Sequence, residues 1–140
     1  MAKDARALLA DVRVPRVSRK DPSADPALLA KLETLTDVDL ALTDTSKTRC
    51  VRALLWYAAG DLHAAHEIVQ PMSSPDGAYI HGMIHRVEDD FDNARYWFMR
   101  AAAHPASAEI YRHAFVNSPL VASRPLWDPV YVTDLLEEAR

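Results

Sequence analysis

A short pattern occurs twice in this chain. Leu54-Leu55, Gly60-Asp61-Leu62 and Ala65 are matched 29 residues later by Met83-Ile84, Asp89-Asp90-Phe91 and Ala94. In each copy an apolar run with helical spacing meets a two-residue turn, and a second apolar run follows at once. Two helices joined by so short a turn bury their apolar stripes against each other, so each copy reads as a helix hairpin. Recurrence at a fixed offset is the mark of stacked hairpins. The predicted fold is therefore all-α, with about six to seven helices in stacked antiparallel hairpins.

The remaining punctuation agrees. Asp25-Pro26, Ser74-Pro75 and Asp128-Pro129 each place a capping side chain before a proline, the pairing that opens a helix. The first predicted helix runs from Pro26 to about Leu35. The second is capped by Thr45 or Ser46 and carries Cys50, Val51, Leu54, Leu55 and Ala58. Gly60 ends it in a left-handed turn, and Asp61 caps the third helix, which stops at Pro71. The fourth helix carries Tyr79, Ile80, Met83, Ile84 and Val87. The fifth carries Phe91, Ala94, Trp97, Phe98 and Ala101 and stops at His104-Pro105. A sixth spans Ser107 to Val116, residues 117–127 read as an irregular connection, and a last helix follows Asp128. Only three of 140 residues are Gly, and no alternating strand pattern is present. Residues 1–24 read as a basic, irregular arm and residues 25–140 as a single helical domain.

Charge and cysteine content narrow the partners. The net charge is −4, which argues against nucleic acid as a partner. Lys3, Arg6, Arg13, Arg16, Arg19 and Lys20 concentrate positive charge in the arm. The single Cys50 rules out a disulfide within the chain and fits a reducing compartment. No secretory leader and no run of about 18 apolar residues is visible, so the expectation is a cytoplasmic chain without a membrane span.

Three groups of residues carry candidate chemistry. His81, His85 and Glu88 stand at i, i+4 and i+7, a narrow stripe beside the apolar face of the fourth helix. His63, His66, Glu67 and Gln70 share a face of the third. His66, His81 and His85 are the donor types that hold Zn, Fe or Mn, and Glu88 or Glu67 is the candidate base of a metal-dependent hydrolase or oxygenase. His81 and His85 also fit a buried hydrogen-bond network with Glu88, Asp90, Asn93 or Tyr96. Arg86 reads as a solvated partner of Asp90 or as a clamp for an anion. Trp56, Tyr79 and Tyr96 are candidates to line a peptide groove, with Tyr96 and Met99 on a second apolar face that the sixth helix is expected to cover. No phosphate-cradling loop and no nucleophile elbow is present.

Gly82, Ala94, Phe98 and Ala101 stand at the spacing of packing positions in the tetratricopeptide repeat, which residues 48–105 resemble. Ala78, His81 and His85 take places where that family usually has Trp, Leu and Tyr. The run His81-x3-His85-Arg86-x-Glu88-x-Asp90-x2-Asn93-Ala94-x-Tyr96-Trp97-Phe98, followed by His104-Pro105, is similar to one in small uncharacterised bacterial and fungal proteins. The resemblance implies close helix packing at Gly82 and a joint role for the polar residues of the run, and no activity. The leading expectation is a protein-interaction or scaffolding module that binds a protein or peptide, with self-association through a helix face. A metal-dependent enzyme is the alternative.

Overall fold

The computed structural model describes residues 25–40 and 44–139; the basic arm expected over residues 1–24 lies outside them. Among the described residues the chain is all-α, with eight helices and no strand. It divides into two compact units, one ending at Ser73 and one beginning at Ser74.

The first unit holds α1 (Pro26–Glu33), α2 (Thr45–Ala59) and α3 (Leu62–Val69). Asp25 caps α1 by accepting from the Leu28 amide at 3.0 Å, while its own N–H reaches the Ala59 carbonyl at 2.9 Å. The helix ends two residues before Leu35, because the chain must turn to bury Leu35 and Leu40 beside Leu28, Leu32, Leu55 and Ala59. Arg52 holds that turn, donating to the Leu35 carbonyl at 2.9 Å and the Asp37 carboxylate at 2.7 Å. The cap of α2 is Asp44, not Thr45 or Ser46. One carboxylate oxygen there accepts from both Ser46 and Lys47 amides, which a hydroxyl one residue later does not do, and its charge suits the helix N-terminus.

The second unit holds α4 (Pro75–Val87), α5 (Phe91–Ala101), α6 (Ser107–Phe115), α7 (Pro119–Ala122) and α8 (Pro129–Glu138). Ser74 and Asp90 cap α4 and α5. The helices of this hairpin approach closely at Gly82, where a Cβ would stand 2.8 Å from two ring atoms of Phe98. Ala94 is fully buried. Ala78, Tyr79, Ala94, Phe98 and Ala101 form the core cluster, with Ile110 and Val130 packed against it.

Two expectations fail here. Residues 117–127 are not wholly irregular, since Ser118 caps the short α7. Nor does α6 cover the second face of α5: Tyr96 and Met99 remain 51% and 71% exposed. Helix α8 packs along α5 instead, tied by Arg95, which donates to Asp134 at 2.7 Å, to Glu137 and to Asp92. The carboxylates of Asp134 and Glu137 converge on one guanidinium, which they hold above its ordinary pKa. No described helix is long and apolar enough to cross a membrane.

Candidate functional site

Two places in the second unit collect chemistry-bearing side chains. The first lies on the α4–α5 hairpin. The close approach at Gly82 lets side chains of the two helices meet, and His81 stacks on Trp97 with ring centres 3.9 Å apart and planes 15° apart. On its other side His81 stacks on His85 at 4.9 Å, one helical turn along α4. His81 is buried and His85 is 13% exposed at its side chain. His85 Nδ1 lies 3.5 Å from Glu88 Oε2 and 3.7 Å from Asp90 Oδ2. Asn93 donates its side-chain amide to Asp90 at 2.7 Å and so orients that carboxylate. Glu88, Asp90 and Asn93 thus gather on the side of the hairpin where the turn faces solvent.

Arg86 corrects its expected place. It is buried, not solvated at the turn, with its guanidinium carbon 5.2 Å from the centre of the Phe98 ring. Its positive field also reaches Tyr79.

Tyr79 and Tyr96 have different surroundings and do not form a common wall. Tyr79 is buried, packs edge-on against Phe98 and accepts a hydrogen bond from the Trp127 indole N–H at 2.7 Å. Burial pushes its phenol above the ordinary tyrosine range, against the opposing effects of the Trp127 donor and Arg86. Tyr96 is exposed, with Trp97 edge-on beside it and Arg100 over its ring. The remaining candidates belong to the first unit. Trp56 packs against that unit's core, and His66 is half-buried on α3. Glu67 is exposed and lies 3.4 Å from His63, so its carboxylate has a solvated neighbour on its own helix.

The second place is a groove of about 700 Å³ between the end of α5, α6 and residues 124–130. Met99, Ala103, Pro105, Tyr111, Leu126 and Trp127 are among its walls. Its polar edge groups already satisfy one another: Tyr111 donates to the Arg124 carbonyl at 2.7 Å, and Arg124 donates to Asp128 at 3.3 Å. At one end His104 Nδ1 accepts from the Ala106 amide at 3.1 Å, so Nε2 carries the proton and donates to Asp76 at 2.6 Å. Both imidazole nitrogens are engaged, which makes His104 a tether between α4 and the groove wall, not a base. What is left facing outward is apolar, with Met99 and Leu126 mostly exposed.

The groove was not foreseen from the sequence. Its one local signal is Leu126-Trp127 set between Pro125 and Pro129, two large apolar residues in a stretch otherwise built like a solvated connection.

Comparison with protein-family models, with curated proteins and with solved structures returns no match.

Proposed function

We propose that the chain is a helical interaction module whose second unit receives a segment of a partner protein in the groove beside α6. The observation that carries this reading is the groove itself. Its size falls within the range of ligand sites, and its outward-facing walls are apolar, with exposed Met99 and Leu126. The expected occupant is a short peptide with apolar anchors and an acidic flank. Apolar anchors match the walls. The acidic flank matches Arg124, an exposed lining residue that would exchange its contact with Asp128 for a carboxylate of the peptide. An intracellular setting accords with the single, buried Cys50.

The test is selection from a displayed peptide library on the full chain, with Leu126→Asp as the counter-target. Leu126 is 72% exposed, so this variant should fold, which its melting curve checks. Selected peptides should be apolar with acidic residues at one end, and a synthesised peptide should bind the variant at least about tenfold more weakly. Equal binding to both proteins would sink the reading. Sedimentation equilibrium separates the remaining occupant, since a concentration-dependent dimer lost in Leu126→Asp would replace the peptide by a second copy of this chain.

A further inference from the structure

We propose that the partner segment enters the groove as an amphipathic α-helix, with apolar anchors one helical turn apart and an acidic residue beside Arg124. The inference rests on the reading of the groove as a peptide site and names the form of its occupant.

The bonds that the groove withholds carry the argument. A bound segment gives up water around its main-chain N–H and C=O groups, and each group left without a partner weakens binding. An extended segment recovers those bonds by lying along a strand edge. Among the described residues there is no strand, and residues 123–126 of the groove wall turn and bend where such an edge would have to run straight. Pro105, Pro125 and Pro129 remove three amides from the lining. The aromatic and imidazole donors of the walls are committed within the unit: Trp127 to Tyr79, Tyr111 to the Arg124 carbonyl, and His104 to Asp76. A helix brings its main-chain bonds with it, except at its ends, and asks the walls only for apolar contact.

The walls are set for such contact. Asp76 and Tyr79 stand at i and i+3 on α4 and so share a face. Asp76 holds the connection between α5 and α6 through His104, and Tyr79 holds the connection between α7 and α8 through Trp127. The rings of Tyr79 and His104 themselves lie 5.2 Å apart. Both walls are thereby tied to one turn of α4, and little of them has to be ordered when a segment binds. Two turns of helix, about 11 Å long and 10–12 Å across, fill roughly 1000 Å³. The groove holds about 700 Å³, so one face of the helix enters and the other stays in water. Anchors at i, i+3 or i+4, and i+7 follow. Charge selects the rim. Arg124 lies over the Tyr131 ring and against Asp128, and no Asp or Glu occurs between Glu109 and Asp128 to repel an acidic residue there.

The test takes a peptide selected on the full chain whose binding is weakened by Leu126→Asp. Isotopically labelled and bound to the unlabelled chain, it should show helical Cα chemical shifts over at least two turns. A proline at a solvent-facing position in its middle should weaken binding about 100-fold, and an alanine there should leave it unchanged. Arg124→Gln should bind a peptide carrying the acidic residue about three- to tenfold more weakly and its amide counterpart as wild type does. A Leu126-dependent peptide that is extended when bound and tolerates the proline would overturn the inference and leave the groove reading standing. Failure to select any Leu126-dependent peptide would remove both.

Discussion

The hairpins α2–α3 and α4–α5 turn by the same local code and are loaded differently. In the first, the Asp61 amide reaches back to the Trp56 carbonyl and the Asp61 side chain then caps α3. In the second, the Asp90 amide reaches back to the His85 carbonyl and the Asp90 side chain caps α5. The residue before each Asp is left-handed, Gly60 at φ 92° and Asp89 at φ 68°. Turn construction therefore does not distinguish the two. Their contents do. The described part of the first unit buries leucines around α1 and one polar side chain, Thr48, and exposes one large hydrophobic residue, Val38. The second buries His81, Arg86 and Thr133 and exposes Tyr96, Met99, Phe115, Val116, Leu120 and Leu126. Buried polar groups and exposed apolar ones both cost stability, and their concentration in one unit is what the proposed binding role draws on.

The largest expected effect probes what brings the second hairpin together. Gly82→Ala gains helix propensity of about 1 kcal/mol but drives a methyl into the buried Phe98 ring, which costs about 1–3 kcal/mol or somewhat more. A net loss of up to about 2 kcal/mol is expected in urea unfolding. A variant as stable as wild type would mean that the Phe98 ring yields and that the close approach is incidental.

Gly60→Asp gives the first turn the residue of the second. It should cost about 1 kcal/mol, the penalty of a side chain at positive φ moderated by aspartate's tolerance for it. No loss would show that the two turns are interchangeable. Arg95→Ala removes the tie between α5 and α8 and should cost at most about 1 kcal/mol, since Asp134 and Glu137 are nearly half exposed. Hydrogen exchange should locate the loosening at the end of α8.

The smallest effect is spectroscopic. Tyr79 has a raised folded-state pKa, so its stabilising contribution is intact below the ordinary tyrosine range near pH 10 and is lost as pH rises through the raised value. An absorbance titration should show Tyr79 ionising above the ordinary tyrosine range. Trp127→Phe should delay it further, because the indole N–H favours the phenolate. Ionisation within the ordinary range would contradict the burial of Tyr79.

The all-α class and most helix starts were legible because a cap is a local event. Asp25, Asp61, Ser74, Asp90 and Asp128 each bond amides two or three residues ahead. Asp44 was missed by one residue, where two hydroxyls competed for attention with a carboxylate. The stripe of His81, His85 and Glu88 was legible from helical spacing, whereas the stack on Trp97 was not, because the register across a hairpin is set by packing. Arg86 misled for a similar reason. A charge near a turn reads as solvated until its guanidinium is found over a ring such as that of Phe98. The groove was illegible because its walls come from α5, α6 and residues 124–130, and no periodicity within one segment records their meeting.

The most direct test of the difference between the units uses a selected peptide and two matched surface variants, one from each. Leu126 and Val38 are 72% and 81% exposed, so an aspartate at either position should leave the fold intact. Fluorescence anisotropy should find Leu126→Asp at least about tenfold weaker than wild type and Val38→Asp unchanged. Equal weakening by both, or a loss confined to Val38→Asp, would contradict the assignment of binding to the second unit.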